Sequence, residues 1–268
     1  MVAPSTDTPD TPTITPPGRG VTRSKTTTLL GAAVLVGMVL WFFLAFVATG
    51  PDVREVGGEL VGQQDAFRLI YIHVPAAIIA YLAFSVTALG SVMVLIKKSV
   101  WWDLVAGSSA EIGALAAALT LITGSIWGRP IWNTWWEWGD VRLLTTLVLF
   151  MLSLGYLAVR RLEGTAEERA KRAAVVGVLL IVNVIIVNRS VEWWANQTIH
   201  QRSTIAEAAI EDLKAFTLFF SIVLGAAAYL WMLIHRFRLA WLERQYDRFG
   251  LEDAIERRRA EATSGGRS

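Results

Sequence analysis

The chain has no cysteine. That excludes disulfide staples, thiol redox chemistry and thiolate metal ligands, and leaves any metal or cofactor to histidine, carboxylate or amide groups. Charge is scarce as well. Asp, Glu, Lys and Arg make up 18% of the 268 residues and nearly cancel, at a net +2. So small a balance implies no nucleic-acid partner. Proline is confined: five of eight lie in residues 1–27, a Pro-, Thr- and Ser-rich stretch that cannot form a core and reads as a disordered tail. Histidine occurs only at His73, His200 and His235.

What the sequence has in quantity is apolar length. Hydrophobic residues reach 54% and the mean hydropathy is +0.46, too apolar for an ordinary soluble domain. Runs at roughly 29–49, 70–96, 104–126, 141–159, 173–189 and 215–235 approach the 20 or so residues a spanning helix needs. The fifth is short. Lipid offers the backbone no partners, so each run should be helical. The first run is long enough to span, and no small-residue cleavage site follows it, which argues against a signal peptide.

With the N-terminus inside, 18 of the 25 Lys and Arg residues fall on inside segments, the bias that sets orientation. The prediction is an all-α polytopic integral membrane protein with six transmembrane helices and both termini cytoplasmic. A membrane domain over 28–236 follows the 1–27 tail. A charged cytoplasmic tail over 237–268, containing Leu239, Trp241, Leu242, Tyr246 and Phe249, reads as a helix lying on or leaving the inner surface.

Five of the twelve tryptophans crowd into Trp127-Gly128-Arg129-Pro130-Ile131-Trp132-Asn133-Thr134-Trp135-Trp136-Glu137-Trp138-Gly139-Asp140. Topology puts this run outside, between spans three and four. Trp41, Trp101, Trp102, Trp231 and Trp241 read as ordinary interfacial belt residues. The run at 127–138 has two readings on composition: belt, or platform for a flat apolar ligand.

The same outer face carries His73, before Pro75 in a predicted first helical turn, with Ala76, Ala77 and Ala80 leaving room on its side. It also carries the 190–214 connection, with Trp193, Trp194 and His200. Were that stretch helical, Trp193, Asn196, Gln197, His200 and Thr204 would share a face. His235 reads as an end-of-helix residue on the inner side. Two external histidines beside a Trp-rich run suggest axial ligation of haem, whose iron takes His and whose disc suits Trp faces. Its anionic propionates would need donors. Arg68, Arg129, Arg142 and Arg202 are on the right side. Glu111 is the one acid well inside a span, and snorkelling or a partner on another helix is expected for it.

These residues resemble a known family. Trp127-Gly128-Arg129-Pro130 with Trp132, Thr134, Trp135, Trp136, Trp138, Asp140, Arg142 and Leu143 resembles the Trp-rich "WWD" signature of haem-handling proteins. Tyr71-Ile72-His73-Val74-Pro75-Ala76-Ala77, and Ser190-Val191-Glu192-Trp193-Trp194 running to His200-Gln201 and Ser203-Thr204, resemble the histidine segments of its haem exporter protein C branch. The match covers about residues 29–235. In the usual form Gly stands at Asn133. Gly139 is inserted before Asp140, and in a helix this would turn Asp140 and Arg142 by about 100° relative to the tryptophans.

The resemblance implies a bacterial inner-membrane bundle that binds haem b non-covalently, as transient cargo, at the periplasmic side. His73 and His200 would be the axial iron ligands. Trp127, Pro130, Trp132, Trp135, Trp136, Trp138, Asp140 and Arg142 would make the haem-binding segment, 127–142. Implied partners are a membrane-anchored haem chaperone, and the ABC transporter subunits and a small membrane subunit of the cytochrome c maturation system, beside membrane lipid. The implied task is delivery rather than catalysis. The alternatives are a transmembrane haem transporter and a cytochrome c haem lyase.

Overall fold

The computed structural model describes residues 25–200 and 212–265. Its helices are α1 (Lys25–Phe43, continued by a π-helical turn to Ala48), α2 (Ile70–Lys97, entered through a 3-10 turn at Asp65–Leu69), α3 (Val100–Trp132), α4 (Val141–Val159), α5 (Ala166–Trp193) and α6 (Asp212–Gly265). All six are long and apolar enough to cross a membrane. The chain is thus an all-α polytopic membrane protein, as the hydropathy pattern predicts. Residues 1–24, most of the predicted N-terminal tail, lie outside the described residues.

The helices outrun the predicted spans. Hydropathy marks the lipid-facing length, whereas a helix continues into water as long as its ends are satisfied. The α5 start shows this. Thr165 accepts the Glu168 N–H at 3.2 Å and the Glu168 carboxylate accepts the Thr165 N–H at 2.8 Å, a capping box that places the start at Ala166 rather than 173. At the other end, α6 is one helix through Gly265, so the charged C-terminal segment continues the last span.

One element was not expected. Between α1 and α2 lies an antiparallel hairpin, β1 (Asp52–Val56) and β2 (Glu59–Gln64). Its turn is Gly57-Gly58, with φ of +64° and +86°, the doubly left-handed geometry that tight hairpins favour and glycine permits.

Helix α2 is central and packs on α3, α5 and α6. Helix α4 lies against α3 and α5, and α1 against α6. Lipid is as apolar as leucine, so helix association rests on close packing and interhelical hydrogen bonds. The α2–α3 contact has both. A Cβ on Gly90 would stand 3.0 Å from the Trp102 carbonyl oxygen and the Ala106 methyl. Ser109 donates to the Ala83 carbonyl at 2.7 Å. Trp41 and Trp231, read as belt residues, instead join α1 to α6. The Trp41 indole donates to Ser221 at 2.9 Å, and a Cβ on Gly31 would lie 2.7 Å from the Trp231 nitrogen.

Two ion pairs brace the end of the bundle away from the Trp-rich run. Arg160 donates to both Asp103 carboxylate oxygens, at 2.6 and 3.1 Å. Arg236 on α6 donates to both oxygens of Glu111, with Nη2 to Oε1 at 2.8 Å. Glu111 therefore has the expected partner on another helix.

Candidate functional site

His73 is the fourth residue of α2, and Pro75 falls in the second helical turn, not the first. The preceding 3-10 turn starts the helical path earlier than the proline implied. The room beside the imidazole comes from α3 as much as from the α2 alanines. A Cβ on Gly124 would stand 2.9 Å from His73 Cε1. One residue earlier, Thr123 Oγ1 lies 3.1 Å from His73 Nδ1. The Thr123 hydroxyl hydrogen is taken by the Leu119 carbonyl at 2.7 Å. A hydroxyl has one hydrogen, so at His73 it accepts. Nδ1 then carries the proton and Nε2 keeps its lone pair, the tautomer a metal-binding imidazole needs. Neither Thr123 nor Gly124 was singled out in the sequence. The available signal was a Thr-Gly pair one turn before Trp127, on the helix that ends in the Trp-rich run.

His200 comes from the far side of the sequence. Helix α5 ends at Trp193, a 3-10 turn occupies Ala195–Gln197, and Thr198 is extended. The helical face proposed for Trp193, Asn196, Gln197, His200 and Thr204 does not form, because the helix stops before His200; Thr204 lies outside the described residues, as do Gln201 and Ser203. The break delivers the ring to α2. The His73 and His200 ring centroids are 6.4 Å apart and their planes differ by 31°.

That separation tests the fit to an iron centre. An imidazole nitrogen binds a transition metal at about 2.0 Å and lies about 1.1 Å from its ring centre, so two imidazoles on opposite sides of one metal have centres roughly 6.2 Å apart. The observed spacing agrees.

Two tryptophans flank the pair. Trp127 meets His73 edge-on at 5.6 Å, and its indole N–H donates to Gln63 of β2 at 2.9 Å. Trp132, the last residue of α3, lies 6.1 Å from His200. The others are arranged differently. Trp136 and Trp138 pack edge-to-face at 5.7 Å. Trp135 and Trp138 are exposed. The Trp136 N–H is buried with no hydrogen-bond partner among the described residues. No ring contact among the described residues joins Trp135, Trp136 or Trp138 to either histidine. Pro130 sits in the last turn of α3.

The segment 133–140 is not helical, so the rotation expected from the Gly139 insertion does not arise. Asn133 caps the C-terminus of α3 with φ +57°. This left-handed position favours Gly and, next, Asn, which accounts for Asn standing where the related pattern has Gly. Asp140 is the N-cap of α4, accepting the Leu143 N–H at 2.8 Å.

The candidate anion donors separate. Arg68 donates to the Ala45 and Thr49 carbonyls at 2.9 and 2.7 Å and to Asp65, fastening α1 to the α2 entrance. Arg129 donates to the carbonyl and side chain of Asn133, closing the end of α3. Arg202 lies outside the described residues. Arg142 lies in the first turn of α4.

A profile of the family described as heme exporter protein C matches residues 19–251. The chain is similar to the heme exporter protein C of Bradyrhizobium diazoefficiens, at 31% identity over 77% of this chain and 74% of that protein. It is 34% identical to that of Haemophilus influenzae, over 68% of this chain and 74% of the relative. With that of Escherichia coli K12 it shares 37% identity over 60% of this chain and 64% of the relative.

Proposed function

The chain belongs to the heme exporter protein C family, a membrane component of haem handling for cytochrome c maturation, and from that premise we propose that it holds haem between His73 and His200 and passes it on. The observation that carries this reading is the 6.4 Å separation of the two imidazoles, the spacing expected across a single iron. Haem here is cargo. The histidines supply its axial nitrogens, and Trp127 and Trp132 wall the two rings. The Trp135, Trp136 and Trp138 segment supplies apolar surface beside them. Arg142 is the candidate donor for an anionic edge.

The positive-inside bias supports a periplasmic position for this end of the bundle in the bacterial inner membrane, with both termini cytoplasmic. An outer site suits a receiver that is itself outside: a membrane-anchored haem chaperone. ABC transporter subunits and a small membrane subunit would complete the assembly. Cargo that is to be handed over must be held by exchangeable bonds, and two neutral imidazoles without a covalent link meet that requirement. The chain's own part is binding and orientation, with no bond made or broken in a substrate.

Purification of the protein with haem, followed by absorption spectra of His73→Ala and His200→Ala, tests the reading. Each variant should lose the six-coordinate low-spin signature and much of its haem. Unaltered spectra and haem content would overturn the ligand assignment.

A further inference from the structure

Asp140 belongs to the Trp-rich signature, and its carboxylate is engaged by backbone and hydroxyl donors. It is 1% exposed, and three donors converge on it. Oδ1 accepts the Leu143 N–H at 2.8 Å. Oδ2 accepts the Ile199 N–H at 2.7 Å and the Thr198 hydroxyl at 2.8 Å. Thr198 Oγ1 in turn accepts the His200 N–H at 3.1 Å. The single hydroxyl hydrogen is committed to Asp140, so a lone pair is turned toward His200. A short relay of hydrogen bonds thus runs from the start of α4 to the backbone of His200.

We infer that Asp140 is the positioning residue for His200: a buried carboxylate that clamps residues 198–200 to the N-terminus of α4 and so sets the distance between the two imidazoles. The inference deepens the proposed function and rests on it.

The physical case comes from what the segment lacks. Residues 194–200 have left α5, and only one 3-10 turn remains. Trp193, Trp194, Asn196, Gln197 and Ile199 are exposed, so little burial holds the segment. Hydrogen bonds to a charged acceptor are about twice as strong as neutral ones, and the N-terminus of α4 favours the negative charge where it sits. The same carboxylate caps α4, which begins one residue before Arg142. One side chain therefore places the Trp-rich segment's exit, the α4 entrance and the second histidine relative to one another. This explains how an acid can belong to the signature without touching the cargo.

The test uses the purified full-length chain and three variants. Asp140→Ala removes the clamp. Thr198→Val breaks the relay while leaving the α4 cap intact, and covers the case in which Asp140→Ala fails to fold. His200→Ala is the reference. In haem-free protein, amide hydrogen exchange over 195–200 should quicken at least tenfold in Asp140→Ala and Thr198→Val. With haemin added, both should show the five-coordinate high-spin signal of His200→Ala and bind about tenfold more weakly, or about 1.4 kcal/mol. Free imidazole should restore the low-spin signal. Asp140→Ala combined with His200→Ala should bind no more weakly than His200→Ala alone.

Unchanged exchange in both variants would overturn the inference. So would a retained six-coordinate spectrum, or a double variant much weaker than His200→Ala, which would mean that Asp140 acts on the haem directly. Should His200→Ala itself keep the wild-type spectrum, the ligand assignment fails, and the haem-free exchange result still decides whether Asp140 holds the segment.

Discussion

Thr123 accepts the Nδ1 hydrogen of His73 at 3.1 Å, because its own hydroxyl hydrogen goes to the Leu119 carbonyl at 2.7 Å. Residues on adjacent helices are thereby linked, and the imidazole is fixed in both tautomer and rotation. Outer partners of this kind typically alter metal affinity ten- to a hundredfold when removed. Thr123→Val should weaken haem binding by about tenfold, and Thr123→Ser should restore most of it. Haemin titration of the three proteins checks this. Equal affinity of the valine variant would show that the Thr123 hydroxyl does not hold the imidazole.

Gly124 gives the same ring its space. An alanine Cβ there would stand 2.9 Å from His73 Cε1, closer than carbon atoms tolerate, so the ring must move. Alanine is also the better helix former, by roughly 0.5–1 kcal/mol. Gly124→Ala should therefore lower haem affinity severalfold with little loss of thermal stability. A parallel measurement of titration and melting temperature separates these effects. A matched fall in both would mean that the clash disturbs the helix and not the ring.

Asp103 and Arg160 form a largely buried bidentate pair, with side chains 10% and 22% exposed. Removing one member of such a pair leaves an uncompensated charge and costs about 3–5 kcal/mol, whereas replacing both with apolar groups of similar size is often near neutral. Asp103→Leu should lower the melting temperature sharply. The double variant Asp103→Leu with Arg160→Met should recover most of the loss. Glu111 and Arg236 are more exposed, at 41% and 30%, so Glu111→Gln should cost less, about 1 kcal/mol. Thermal unfolding in detergent gives the ranking. A double variant as unstable as Asp103→Leu would refute the unpaired-charge explanation.

The absence of cysteine makes the sidedness directly measurable. Glu59→Cys, beside the hairpin turn, and Glu163→Cys, between α4 and α5, both occupy exposed positions. In intact spheroplasts a membrane-impermeant maleimide should label the first and spare the second. Reversed labelling would place the histidines on the cytoplasmic side and remove the basis for periplasmic delivery.

The six crossings were legible in the sequence because apolar length is a local property. The end of α3 was not. Hydropathy falls through Gly128-Arg129-Pro130, and proline disfavours a helix interior, yet α3 runs through Pro130 to Trp132. The hairpin at 52–64 was missed because it is short and polar, although Gly57-Gly58 is the turn signal it carries. That His73, His200 and the Trp-rich run share one end of the bundle was legible. The pairings within it were not. Which tryptophan meets which histidine, and that Thr123 and Gly124 define the His73 pocket, depend on the register of α2 against α3. Asp140 shows the limit most clearly: the sequence marks it, but its partners lie 58 and 59 residues away.

The two imidazoles stand on unlike supports. His73 rises from α2, the helix wedged among three others. His200 hangs from a short segment beyond the end of α5. A load on the site therefore strains the compliant jaw first, while the stiff one barely yields. If haem is held as proposed, the His200 bond would open before the His73 bond, and a receiver would need to bend only a few residues, not a transmembrane helix, to take the cargo away.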